Sequence, residues 1–179
     1  MNIAVYCSSS SILDSVYYHQ AEELGKWIGC EGHTLVYGGC KLGLMESVSD
    51  GVKRAKNGKV IGVVPKILIE LDRVSKNSDE IIYCDDLTER KKIMMERSDI
   101  FIAMPGSVGT LDEAFSVIAQ HSIGIDNKMV IFWNINGFWD GLFSFFESLK
   151  TTGVAYKPLE NFYYKADSLE DIKKICAKL

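Results

Sequence analysis

The sequence predicts an α/β fold, a doubly wound parallel sheet with helices on both faces. Two observations carry that prediction. Short, continuously apolar runs of the kind that form strands buried on both sides alternate with longer stretches at helical spacing. Several of those runs also end in serine-, glycine- or aspartate-bearing loops, and in such a sheet these loops gather at the carboxyl ends of the strands.

Residues 3–6 read as the first buried strand, followed by Cys7 and the polar run Ser8, Ser9, Ser10 and Ser11. From 14 to 31, Val16, Ala21, Leu24, Trp27 and Ile28 recur at the spacing of an amphipathic helix, which Gly32 closes as a C-terminal cap. Residues 34–37 are a second strand. Gly38, Gly39 and Gly43 then form a glycine loop that opens into a helix from about 44 to 57, stopped by Gly58. A third strand, 59–64, ends at Pro65; 66–77 is a short helix and loop, and 80–83 a fourth strand. After Asp85 and Asp86, residues 87–98 have the composition of a good helix former.

The apolar run 100–104 is broken by Pro105, Gly106 and Gly109 into a tight turn. Thr110 suits an N-cap, and Glu113, three residues on, completes a capping-box pattern, so a helix is expected from Thr110 to about His121. A loop at 124–127, a strand at 129–133 and a turn at 134–137 follow. Trp139, Leu142, Phe143, Phe146 and Leu149 make one apolar stripe, read as core with a dimer interface as the second reading. The tail adds a short strand at 162–164 and a last helix begun by Ser168.

Composition narrows the function classes. At 179 residues and 47% hydrophobic, the chain is expected to be a single domain over 1–179 with its own core. A net charge of −4 offers no broad attraction to nucleic acid or to a membrane. The five cysteines are odd in number and contain no C-x-x-C pair, and Met1 leads straight into a strand, so a reduced, cytoplasmic protein is expected. His19, His33 and His121 have no ligand spacing, and neither a metal nor a cofactor is expected.

The chemistry concentrates where the fifth apolar run meets its helix. A strand, a glycine turn and a helix start make an anion site, because the unpaired N–H groups and the helix dipole favour phosphate. The N–H groups of Ser107, Val108, Gly109 and Thr110 are the expected cradle, after Gly106. Glu113 sits one turn inside it. Alone, T-x-x-E is better read as a helix start and Arg90 as part of a solvated face with Lys91, Lys92 and Arg97, and a tight turn explains any one glycine loop well. Four such loops on one sheet edge are better explained by a phosphorylated small molecule lying across it. Two familiar phosphate signatures are absent: Leu44 and Met45 stand where a P-loop needs Lys and Ser or Thr, and the first strand leads into C-S-S-S-S rather than G-x-G-x-x-G. Neither ATP hydrolysis by a P-loop nor hydride transfer is indicated.

Several blocks in order resemble the LOG ("Lonely guy") family of nucleoside 5′-monophosphate phosphoribohydrolases, which also carries an older lysine decarboxylase label. They are V-Y-C-S-S-S from Val5, Y-G-G-C-K-L-G-L-M from Tyr37, G-V-V-P from Gly62, E-R-K from Glu89 and P-G-S-V-G-T-L-D-E from Pro105. The resemblance implies a Rossmann-like domain that pairs as a homodimer. It implies Glu113 and Arg90 as the catalytic pair, Lys91 in substrate binding, and Ser8, Ser9, Gly38 and Gly39 along the ribose or base, with Gly43 and Met45 also among the substrate- or phosphate-binding residues. Ser107, Cys40, Glu46, Leu87-Thr88 and Ala119-Gln120 depart from the family pattern and bear on substrate choice more than on reaction type. The expected activity is hydrolysis of the N-glycosidic bond of a purine nucleoside 5′-monophosphate, AMP or a cytokinin riboside 5′-monophosphate. The alternative is a non-catalytic nucleotide-binding or carrier protein on the same fold; a pyridoxal-dependent decarboxylase is the weakest reading, since no loop lysine is singled out for it.

Overall fold

Seven parallel strands form one sheet in a computed structural model that describes every residue except Lys56 and Tyr156. In chain order the elements are β1 (Asn2–Tyr6), α1 (Ser15–Cys30), β2 (Thr34–Tyr37), α2 (Gly43–Ala55), β3 (Lys59–Pro65), α3 (Lys66–Glu70), β4 (Glu80–Cys84), α4 (Leu87–Arg97), β5 (Ile100–Ala103), α5 (Val108–Ser122), β6 (Val130–Trp133), α6 (Asp140–Thr151), β7 (Tyr163–Ala166) and α7 (Leu169–Cys176). The strand order is β4-β3-β2-β1-β5-β6-β7. The chain therefore winds outward from β1 in one direction and, after α4, returns to the other side of β1. The loops that follow β1 and β5 lie side by side at this reversal, where open α/β sheets bind ligands.

Alternation along the strands builds two cores. Ile3, Val5, Leu35, Tyr37, Ile100, Ile102, Ile131 and Trp133 point to one face, under α1, α2 and α7. Ala4, Tyr6, Val36, Phe101, Ala103, Val130 and Phe132 point to the other, under α4, α5 and α6. This two-residue period, with both sides covered, is why the strands read as unbroken apolar runs rather than as alternating ones. On the first face α1 and α2 cross at backbone contact: a Cβ at Gly25 would lie 2.0 Å from the Val48 carbonyl oxygen, and one at Gly51 2.2 Å from that of Glu22.

Most predicted elements are present with ends shifted by a residue or two. Asp14 caps α1 by accepting from the Val16 N–H, and Gly32, at φ +66°, follows its end. Ser168 begins α7 in a reciprocal capping box with Asp171. The expected end of the second helix near 57 crosses Lys56, outside the described residues. The helix expected from Thr110 is a correction. α5 begins at Val108 with Ser107 at the N-cap, so Thr110 is its third residue and forms no capping box with Glu113. The first turn closes when the Leu111 N–H donates to the Ser107 carbonyl (3.1 Å), while the Thr110 side chain packs over Gly106. The apolar stripe after 137 packs as core: Trp139 and Phe146 are buried and Leu142 and Phe143 pack against them, while Phe145, which lies off the predicted stripe, is 54% exposed. Among the described residues no helix is long and apolar enough to cross a membrane.

Candidate active site

A cavity of about 350 Å³ opens at the carboxyl edge of the sheet, between the loop after β1, the start of α2, the first turns of α4 and the first two turns of α5. Its walls include Cys7, Ser8, Ser9, Ser10, Met45, Leu87, Arg90, Lys91, Ser107, Gly109, Thr110, Asp112 and Glu113. Its position follows from hydrogen bonds between loops. The Ser8 N–H donates to the Pro105 carbonyl (3.1 Å) and the Leu44 N–H to the Ser8 carbonyl (2.9 Å), while the Tyr18 hydroxyl donates to the Ser10 carbonyl (3.2 Å). The serine loop is thus tied to β5, α2 and α1 at once.

At the other wall, the N-terminus of α5 has Ser107 at the N-cap position, but the Ser107 hydroxyl caps no N–H. The N–H groups of the first helical turn have no intrahelical acceptor, so Gly109 and Thr110 present donors and the positive end of a helix dipole to the cavity. Gly106 supplies the space, since a Cβ there would lie 2.1 Å from Thr110 Oγ1.

One turn further along α5, Glu113 faces Arg90 of α4, with Oε1 3.1 Å from Nη2. Both are nearly enclosed, their side chains 8% and 12% exposed. Burial raises the Glu113 carboxyl above the usual glutamate range. The nearby Arg90 charge opposes that rise without cancelling it, and Asp112 adds to it. Arg90 lies against Gly38: a Cβ at that position would be 1.9 Å from Nη2. The Arg90 Nε and the Tyr6 hydroxyl are buried and have no hydrogen-bond partner among the described residues. Lys91 Nζ donates to Asp112 Oδ1 at 2.6 Å, a second bridge from α4 to α5.

Of the residues expected at the site, Ser8, Ser9, Met45, Arg90, Lys91, Ser107, Gly109, Thr110 and Glu113 line this cavity. Gly38, Gly39, Gly43, Gly106 and Val108 do not. Gly38 seats Arg90 and Gly106 makes room for Thr110. Gly43, at φ +60°, lets the start of α2 approach the backbone of Ser8 to Ser10, where a Cβ would meet Ser10 O at 2.6 Å. Gly39, at φ +69°, packs on Val64 of β3. Val108 points outward and is 80% exposed. Cys7 is on the wall and Cys40 is not; burial keeps the Cys7 thiol protonated, as a packing residue rather than a nucleophile. Sequence reasoning missed Ser10 and Asp112 as wall residues, the i, i+3 spacing of Gly109 and Asp112 being the available signal for the second; Leu87, one of the departures from the family pattern, is on the wall.

With this geometry in place, comparison with known proteins is direct. A family model described as "Possible lysine decarboxylase" matches residues 45–176. A cytokinin riboside 5′-monophosphate phosphoribohydrolase of Mycobacterium tuberculosis is 35% identical over 175 residues, which cover 98% of this chain and 92% of that one. The chain belongs to the LOG family. A second relative, the cytokinin riboside 5′-monophosphate phosphoribohydrolase LOG5 of Arabidopsis thaliana, is 33% identical over 170 residues, 95% of this chain and 74% of its own. Among solved structures, the Moco carrier protein from Chlamydomonas reinhardtii superposes with a TM-score of 0.72 at 26% identity, covering 99% of this chain and 98% of that one. LOG-family membership and the all-parallel sheet agree with what the sequence blocks implied.

Proposed function

We propose that this LOG-family chain hydrolyses the N-glycosidic bond of a purine nucleoside 5′-monophosphate, AMP or a cytokinin riboside 5′-monophosphate, releasing free base and ribose 5-phosphate. The observation that carries the reading is the enclosed Glu113–Arg90 pair on the wall of a cavity whose adjoining wall is an uncapped helix N-terminus. That arrangement suits a ligand with a phosphate at one end and a bond to be broken about one helical turn away.

In this reading the 5′-phosphate rests on the N–H groups at the start of α5, with the Thr110 hydroxyl beside it and Lys91 near the mouth. The ribose lies over Glu113. As the C1′–N bond breaks, its electron pair leaves with the base and positive charge develops on the sugar. The Glu113 carboxylate stabilises that charge and takes a proton from the water whose oxygen bonds to C1′, and the departing base takes up a proton in turn. Arg90 holds Glu113 in place and favours its ionised form. Met45 and Leu87 give the base an apolar surface, and Ser8, Ser9 and Ser10 supply hydroxyls along the opposite rim. The reaction needs no metal or organic cofactor in this scheme. We further infer that the chain works as one domain, pairs as a homodimer and acts in a reducing, cytoplasmic setting. The resemblance supports the pairing, and the odd, unclustered cysteines support the compartment.

The test is to incubate the purified protein with AMP and with N6-isopentenyl-AMP, quantify free base and ribose 5-phosphate, and repeat with Glu113→Gln. The expected result is base release that falls by about three orders of magnitude or more in the variant, with nucleotide binding retained. An unchanged rate in Glu113→Gln removes the role given to that carboxylate. The likeness to a Moco carrier supports a second reading, a carrier that binds a nucleotide-like ligand without cleaving it. Tight binding with no product from either nucleotide favours the carrier.

A further inference from the structure

Four charged side chains share one wall of the cavity: Arg90 and Lys91 from α4, Asp112 and Glu113 from α5. They pair in two parallel bridges, and their charges balance. The outer bridge differs from the inner one. Lys91 Nζ donates to Asp112 Oδ1 at 2.6 Å with the lysine side chain one-fifth exposed and the aspartate half-exposed, so it lies at the mouth rather than in the interior. Asp112 also stands near the N-terminal turn of α5, whose N–H groups are the phosphate cradle in the reading above. A fixed carboxylate there repels an incoming phosphate, and the lysine that offsets it is the same lysine a phosphate would attract.

We propose that Asp112 is a specificity-setting residue that holds Lys91 across the cavity mouth until a ligand's phosphate displaces it. This rests on the nucleotide reading and names what limits the site's affinity for a phosphorylated substrate. A nucleoside without phosphate leaves the bridge intact and draws nothing from Lys91. A monophosphate takes Lys91 from Asp112, and the phosphate must offset the lost bridge through the helix N–H groups. The carboxylate thus lowers affinity for every phosphorylated ligand while leaving the unphosphorylated ones as weak as before. A lysine–carboxylate pair whose carboxylate is half-exposed is a small barrier, so the effect is a tuning of affinity rather than a block.

Asp112→Asn keeps the size and removes the charge at a half-exposed position, so the fold is not at risk. Ribose 5-phosphate and AMP are expected to bind the variant about two- to fivefold more tightly than wild type, with adenosine unmoved. A second readout is kinetic. Glu113 is faced by Arg90 and Lys91 from α4, by Asp112 on its own helix, by Tyr6 at the end of β1 and by Cys7 just after it. Removing the Asp112 charge lowers the pH at which Glu113 ionises, so the acidic limb of kcat/KM moves to lower pH. A packing role for Asp112 would move neither the phosphate preference nor that limb. Calorimetric titration of wild type and Asp112→Asn with ribose 5-phosphate and adenosine, neither of which the proposed reaction consumes, decides the matter. Equal or weaker phosphate binding by the variant, or no ribose 5-phosphate binding by either protein, overturns the proposal. Ribose 5-phosphate has no glycosidic bond to cleave, so its binding is read without turnover: tighter ribose 5-phosphate binding by the variant, with no base release from AMP, would uphold the inference about Asp112 while ending the hydrolase reading.

Discussion

In the proposed reaction, Glu113 serves function at a cost to stability. Burial holds its carboxyl above the ordinary value of 4.5 even with Arg90 3.1 Å away. For an acid whose folded-state value is raised, the native chain holds the proton more tightly than the unfolded chain. The stability this lends is fully present below the unfolded value and is lost as pH rises through the folded one. A base, however, must be ionised. The carboxylate is therefore useful in the pH range where it lends the fold nothing. The expected outcome is an acidic limb in kcat/KM above pH 4.5, with activity falling as pH drops through it; a limb at or below that value would separate Glu113 from the chemistry. Cys7, raised by burial on the same wall, contributes no second limb at neutral pH, because it stays a thiol there.

At the scale of elements, the helices that carry the site are placed by contacts the sequence indicates unevenly. The α1–α2 crossing depends on Gly25 and Gly51, where neither helix has room for a Cβ. These two glycines lie inside helical patterns, where composition alone marks them only as weak points. Their role depends on which helix lies opposite. Gly25→Ala is expected to destabilise the fold by about 1–3 kcal/mol, measured by urea unfolding, because the new methyl group meets the Val48 carbonyl of the partner helix. An unchanged midpoint would mean that α1 can slide over α2 at little cost. The start of α5 shows the converse. T-x-x-E is a sound local signal for a helix start, and the Ser168 start of α7 was legible by such local chemistry. In α5 the helix begins two residues earlier, because the turn after Pro105 leads straight into it and Thr110 is needed over Gly106. The strands, their number and the loops that end them were legible because both-faces burial writes itself as unbroken apolar runs. The pairing of Lys91 with Asp112 was not, since it depends on how α4 and α5 lie side by side over the sheet.

For the molecule as a whole, the strand order puts the site at the one place where the winding reverses, with β1 flanked by β2 and β5. Sequence could locate the loops on one sheet edge but not say that those after β1 and β5 are adjacent, because register and order are settled by non-local pairing such as Tyr6 opposite Ala103. The same sheet leaves apolar surface on the side of α4, α5 and α6. Leu87, Phe115 and Phe145 are exposed there, and Phe115 meets the buried Phe146 edge-on at 5.8 Å. Exposed aromatics next to a buried aromatic cluster suit burial against a second copy, whose closed pairing would cover the patch on both protomers. Sedimentation equilibrium is then expected to give twice the 20.0 kDa chain mass, and Phe145→Asp to shift the population toward monomer. Phe145 is 54% exposed in the single chain, so the substitution leaves the core intact, and thermal unfolding of the dilute variant should match that of wild type diluted to monomer. A wild-type mass of 20.0 kDa at micromolar concentration would set the pairing aside. A dimer that Phe145→Asp does not weaken would move the interface to another face.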